Sequence, residues 1–284
     1  MATLIAFDTA TERMTVALRH GERLYSHAGE GGAKASATLL GAILGLLGDA
    51  GIALADVDAI AFGRGPGAFT GLRTACSVAQ GLAFGAGKPV LPIDSLLAVA
   101  EDGRAAGLAP RRVWALIDAR MDQIYAAEYE YVDSRWSTRV APCLTDCEAL
   151  AERWRTDPPE AIAGNAITVF AGRLATAGAA LAAQATPSAI ALLRLAEQAW
   201  TDGAAVDPAL ALPLYVRDHV AQTTAEREAA RAQRDPSGVR PSLSEGGERS
   251  GEGAILKPPL QGNGDVGAGA VLSGVPGGSA SIQR

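Results

Sequence analysis

Three histidines, three cysteines and no CxxC pair leave this 284-residue chain short of the side chains that most often hold metals or carry acid–base chemistry. His20, His27 and His219 form neither HxxxH nor HExxH and read as surface or satisfied histidines. Cys76, Cys143 and Cys147 make an odd number, so no disulfide framework is implied and a reducing compartment is expected. Cys143 and Cys147 have the i,i+4 spacing that lets two side chains meet on a helix, but no His or further Cys accompanies them. No serine sits in GxSxG, so a peptidase reading finds no nucleophile. No apolar run reaches the roughly 18 residues that cross a bilayer, and MATLIAFDTATERM lacks the basic and long apolar regions of a secretory leader. The net charge is −6 with no basic tract, so a nucleic-acid substrate would need a partner to supply positive surface. The expectation is a soluble cytoplasmic protein with no membrane partner and no metal site of its own.

What the chain does have is alternation of strands and helices, given twice. TLIAFDTA (3–10), RMTVALRH (13–20) and ERLYSHA (22–28) read as three strands, with links too short for crossover helices, hence an antiparallel meander. A helix follows at 36–51 with Gly51 as its stop, then a buried strand at 58–63, a glycine-rich elbow, a helix at 70–86 and a strand at 88–93. Asp94 or Ser95 can cap the next helix. The order then partly recurs: strands at 112–119, 123–132 and 135–142, a helix at 145–155 with Thr145 as candidate cap, a strand at 159–164 and a helix at 188–200. This predicts an α/β fold of two related βββαβα-type halves, residues 1–108 and 109–223, with a cleft between them. Beyond Tyr215 there is no aromatic residue, and from Arg234 to the end Gly, Pro and Ser supply 24 of 51 residues. Residues 224–284 are therefore expected to be a disordered tail, with 224–233 a candidate short helix.

The elbow, FGRGPGAFTGLRTA (62–75), raises the functional question. It is not a phosphate loop of the GxxxxGK[ST] kind, because Leu72 follows Gly71, and GxGxxG fails because Thr70 stands where the third glycine belongs. Backbone amides at a helix start can still attract an anion, which makes Asp8, Thr9, Gly65 and Gly67 candidates for a weak nucleotide or phosphate contact. The alternative is a tight strand-to-helix turn capped by Thr70.

Small residues recur along the helices on either side. Ser77, Gly81 and Gly85 fall at i, i+4, i+8, with Ala75, Ala79 and Ala83 on a neighbouring stripe; Gly41, Gly45 and Gly48 do the same in the first helix. Interior glycine costs a helix about 0.5–1 kcal/mol relative to alanine, so a packing gain is implied. That gain is either internal or with a second chain. Leu39, Leu40, Ile43, Leu44, Leu46 and Leu47 cover more of the first helix than one buried stripe needs, which favours an interface. Asp8 ends the first strand and Asp118 holds the equivalent place in the second half. They are either turn caps or the paired aspartates of an actin-fold ATPase or sugar-kinase-like phosphotransferase.

Several segments together carry a family resemblance: LIAFDTAT, DVDAIAFGRGPGAFTGLRTACSVAQGLAFG, IDSLLAVA, LIDARMDQIYAAEY and ALPLYVRDHVAQ. In this order and spacing, over roughly residues 2–222, they resemble the bacterial TsaB (YeaZ-like) family, accessory to the complex that makes threonylcarbamoyladenosine on tRNA. The resemblance implies a duplicated actin-like, Hsp70-like (ASKHA) fold. It implies a non-catalytic subunit that heterodimerises with and activates the TsaD transferase, engages the ATPase TsaE and meets tRNA only through the complex. The modified adenosine lies beside the anticodon of tRNAs reading ANN codons. Nucleotide (ATP or ADP) and a metal would belong to the assembly through those partners, and a homodimer is the alternative when TsaD is absent. Many relatives carry a histidine where the first helix begins; this chain has Lys34, Ala35 and Ser36. The family pairs through helices of the N-terminal half. The interface expected here is therefore Leu39, Gly41, Ile43, Gly45 and Gly48 from the first helix, with Thr70, Gly71, Arg73, Ser77 and Gly81 from the second.

Overall fold

The computed structural model describes residues 1–176 and 178–217. The expectations for the tail, the helix at 224–233 and His219 lie outside the described residues. Residues 4–7 are apolar up to the terminal aspartate, and strand β1 (Leu4–Asp8) is buried on both faces. Leu4 and Ala6 face one core cluster, Ile5 and Phe7 the other. A strand covered on both sides needs no polar alternation, and β1 is accordingly the centre of its sheet. Strands β2 (Arg13–His20) and β3 (Arg23–Glu30) run antiparallel on one side of it, after links of only a few residues. On the other side β4 (Ala59–Gly65) and β5 (Val90–Asp94) are parallel, because helices intervene: α1 (Ala35–Ala50) and α2 (Phe69–Ala86). The order is β3-β2-β1-β4-β5.

The second half repeats this. Strands β6 (Arg112–Arg120), β7 (Gln123–Val132), β8 (Arg135–Thr145), β9 (Ala161–Ala163) and β10 (Ala180–Ala182) take the order β8-β7-β6-β9-β10. Strand for strand this is the first sheet again, so the duplication predicted from the sequence is present as topology. Two helices stitch the halves together. From the first half, α3 (Ser95–Ala105) places Leu96, Val99 and Ala100 in a core with Val113, Ala115 and Tyr129 of the second sheet. From the second, α6 (Ala189–Thr201) places Leu192, Leu193 and Ala196 against Leu4, Ala61 and Leu91 of the first. Ser188 caps α6 and also donates to Asp102 of α3 at 2.6 Å. Both sheets lie in one compact unit, Met1–Asp218. Among the described residues no helix is long and apolar enough to cross a membrane.

Several local expectations are corrected. Helix α2 begins at Phe69 with Ala68 at its cap, not Thr70, because the Ala68 amide is already bound to the Ala10 carbonyl at 2.7 Å. Thr145 ends β8, so the cap of α4 (Cys147–Thr156) falls to Asp146, whose carboxylate accepts the Ala149 amide at 2.8 Å. Asp94 stands at the cap of α3, but its carboxylate turns to Arg64 instead of the helix amides. Cys143 lies in β8 and Cys147 in α4, so they share no helix. The three-residue β10 and the four-residue α5 (Ala166–Val169) are additions that no periodicity announces.

Candidate functional site

The register of β1 beside β4 puts Phe7 opposite Phe62, so Asp8 comes alongside Gly63. A Cβ at 63 would lie 1.7 Å from Asp8 Oδ2; glycine is there to make room for that carboxylate. Asp8 is fully buried. The Ala10 amide donates to Oδ1 at 2.7 Å and the Ser95 hydroxyl to Oδ2 at 2.6 Å, while Ser95 Oγ accepts the Gly65 amide at 3.2 Å. Burial pushes the Asp8 carboxyl up to about 6, against the lowering effect of Ser95 and of the Ala10 amide. One residue thus ties together the end of β1, the elbow and the first turn of α3.

The remaining elbow glycines make room for backbone. A Cβ at Gly71 would lie 1.8 Å from the Thr9 carbonyl oxygen, and one at Gly67 2.5 Å from that of Ala10. Thr9 is buried and donates its hydroxyl to the Gly71 carbonyl at 2.7 Å. Gly65 has φ 112°, and Leu214 closes over it by donating its amide to the Arg64 carbonyl at 2.7 Å. The chain's own Thr9–Ala10 turn and the segment at Leu214 lie directly against the elbow glycines. Asp8, Thr9, Gly65 and Gly67, the four residues expected to make a weak phosphate contact, are all buried within this packing joint.

Asp8 is the last residue of β1, whereas Asp118 lies two residues before the end of β6, and its surroundings differ. It accepts the Arg120 amide at 2.9 Å and pairs with the Arg120 guanidinium at 3.3 Å. Arg120 also pairs with Glu12 of the β1–β2 turn. It opens a hairpin tip in which Arg120, Met121 and Asp122 are all left-handed, at φ 63°, 53° and 63°. Among the described residues no group of three His, Cys, Asp or Glu side chains is placed to hold a metal ion.

The open feature is the outer face of α1 and α2. Gly41, Gly45, Gly48, Gly81 and Gly85 are all exposed, and a Cβ on any of them would meet nothing within 4 Å. Nothing among the described residues requires these five to be glycine, whereas Ala75, Ala79 and Ala83 of the neighbouring stripe are buried in the core. Leu40 at 46% exposure, Leu44 at 53% and Phe84 at 60% stand on the same two helices. Of the expected interface residues, Gly41, Gly45, Gly48, Thr70, Arg73, Ser77 and Gly81 are exposed. Leu39 and Ile43 are fully buried against the first sheet and lie beneath the face, as do Leu46 and Leu47. Gly71 is buried too, pressed onto Thr9.

The family model described as TsaD, tRNA N6-adenosine threonylcarbamoyltransferase, matches residues 30–224. The Escherichia coli K12 tRNA threonylcarbamoyladenosine biosynthesis protein TsaB is 32% identical over 227 residues, 77% of this chain and 96% of that protein. The crystallised YeaZ from Pseudomonas aeruginosa superposes with a TM-score of 0.68 at 40% identity, covering 76% of this chain and all of that one. The chain belongs to the TsaB (YeaZ) family. The Haemophilus influenzae TsaB is 44% identical over 128 residues, 44% of this chain and 53% of that protein. The paired 3-2-1-4-5 sheets are those of the duplicated actin-like fold. In this TsaB-family chain the elbow that follows the parallel strand is closed on itself, and the helix it launches carries an open face.

One part of the site was missed at the sequence level. After α6 the chain crosses back over α2: Val206 pairs with Val90, the Ala211 carbonyl accepts from Cys76 Sγ and from Gln80 Nε2, both at 3.1 Å, and Arg217 Nη2 reaches the Ala119 carbonyl at 2.9 Å. The segment ALPLYVR contains few residues with strong conformational signals, and its anchors lie far earlier in the chain, 98 residues back for Arg217 to Ala119 and 135 for Ala211 to Cys76.

Proposed function

We infer that this chain works in the synthesis of threonylcarbamoyladenosine on tRNA as a non-catalytic subunit, docking a TsaD-like transferase through the outer face of α1 and α2. The observation that carries this is the set of five exposed glycines with open space at every Cβ position, flanked by Leu40, Leu44 and Phe84. Glycine at five helix positions costs the free chain roughly 3–5 kcal/mol in total. A flat face that another helix approaches closely gives that cost a return. Covering the exposed parts of Leu40, Leu44 and Phe84 adds about 1 kcal/mol each. The acidic chain leaves tRNA contact, and with it nucleotide and metal chemistry, to the transferase and a TsaE-like ATPase. Without the transferase, the same face would pair two copies of this chain.

A phosphotransferase built on Asp8 and Asp118 is the competing reading. Against it stands the use of both Asp8 oxygens within the fold, in a site where the approach to β1 is taken by the elbow. Reconstituted transfer separates the two. The assay combines the TsaD-like and TsaE-like proteins of the same organism, tRNA and threonylcarbamoyl-adenylate, with and without this chain. Transfer should need the chain and should survive Asp8→Asn. Transfer that proceeds equally without the chain, or magnesium-dependent ATP hydrolysis by the pure chain that disappears in Asp8→Asn, would overturn the reading.

A further inference from the structure

Arg73 is exposed, and its guanidinium is held from two sides. Its Cζ sits 3.8 Å over the Phe69 ring centre, and its Nε donates to the Tyr215 hydroxyl at 3.0 Å. Phe69 and Tyr215 themselves stack with ring centres 5.4 Å apart. The whole arrangement depends on the segment after α6 reaching across α2, which is anchored through Ala211 and Leu214. Tyr215 therefore meets Arg73 across 142 residues of sequence, by construction of the fold. Yet among the described residues no carboxylate lies within ion-pair reach of Arg73, while Arg64, earlier in the elbow, is paired with Asp94. A guanidinium ordered on an aromatic ring keeps its two outer nitrogens as a planar fork suited to a carboxylate. Phe69 and Tyr215, which hold it, are themselves 38% and 43% exposed.

Arg73 is also the first member of the i+4 series Arg73, Ser77, Gly81, Gly85 along α2. The cation therefore stands at one end of the small-residue stripe, continuous with the face assigned above. We propose that Arg73, set on Phe69 and Tyr215, receives an aspartate or glutamate of the protein partner. It would fix the direction in which the partner's helix lies along α2. The inference rests on the docking reading and adds to it a charged anchor. A protein carboxylate is favoured over a nucleic-acid phosphate because the groups that hold the cation are two aromatic side chains, Phe69 and Tyr215, in a chain of net charge −6 with no basic tract.

The test measures the affinity of the full chain for the TsaD-like transferase of the same organism, at two salt concentrations. The variants are Arg73→Glu, Arg73→Lys, Tyr215→Phe and Gly81→Leu. Arg73→Glu should weaken the heterodimer at least tenfold and reduce the salt dependence of association. Arg73→Lys and Tyr215→Phe should weaken it less, and circular dichroism should match the unaltered chain throughout. If Gly81→Leu abolishes binding while Arg73→Glu binds within twofold of the unaltered chain, the anchor is wrong and the docking face stands. If neither variant changes affinity, both fall. Arg73→Glu that leaves heterodimer affinity unchanged but lowers tRNA binding by the assembled complex would assign the cation to phosphate and overturn the inference.

Discussion

Ser95 holds Asp8 in place from across β4: its hydroxyl donates to Asp8 Oδ2 at 2.6 Å, in a pocket that only glycine at 63 leaves open. The carboxylate is buried, with its pKa raised to about 6 from an ordinary 3.8, burial being the cause. The sign follows from linkage. Between the unfolded and folded values the native state binds more protons, so this group adds stability as the pH falls from 7 towards 4. Relative to Asp8→Asn, the unaltered chain should gain on the order of 2 kcal/mol across that window. Urea unfolding at pH 7 and pH 4.5 for both proteins checks it; parallel pH profiles would show that Asp8 is not the titrating group.

Gly71 and Gly45 should respond oppositely to the same methyl group. Gly71→Ala drives a Cβ to 1.8 Å from the Thr9 carbonyl oxygen, and backbone must shift. The expected loss is about 3 kcal/mol. Gly45→Ala meets open space in a helix interior and should stabilise the free chain by about 0.5–1 kcal/mol. Chemical denaturation of the two variants decides whether the elbow is a packing joint.

At the β6–β7 tip, Met121 is 82% exposed and left-handed at φ 53°. Met121→Gly therefore removes strain while giving up little packing, and should raise the stability by about 0.5–1 kcal/mol. A lower unfolding midpoint for this variant would mean that Met121 contributes contacts worth more than its strain.

Much of the fold was legible because it is written in local patterns. Short links between β1, β2 and β3 force a meander, crossover helices force parallel pairing, and the same arrangement occurs twice. The αL stop at Gly51, φ 70°, follows from glycine alone. What was not legible depends on non-local neighbours. Leu39 and Leu40 differ only by which side of α1 meets the sheet, and residue type alone does not say which. The glycines of the elbow and those of α1 and α2 look alike as letters. The first group meets the Thr9–Ala10 backbone and the second meets open space, and only the folded register separates them. Thr70 and Thr145 have good capping chemistry, but strand β8 and the Ala68–Ala10 hydrogen bond had already set where the helices begin.

The central claim is that the outer face of α1 and α2 is a docking face. Size-exclusion chromatography with light scattering tests it most directly, mixing the chain with the TsaD-like transferase of the same organism, unaltered and as Gly45→Leu and Gly81→Leu. Both substitutions point into open space, so both variants should fold. The expected result is a 1:1 complex with the unaltered chain and none with either folded variant. Complexes of unchanged mass and stability with both variants would contradict the claim.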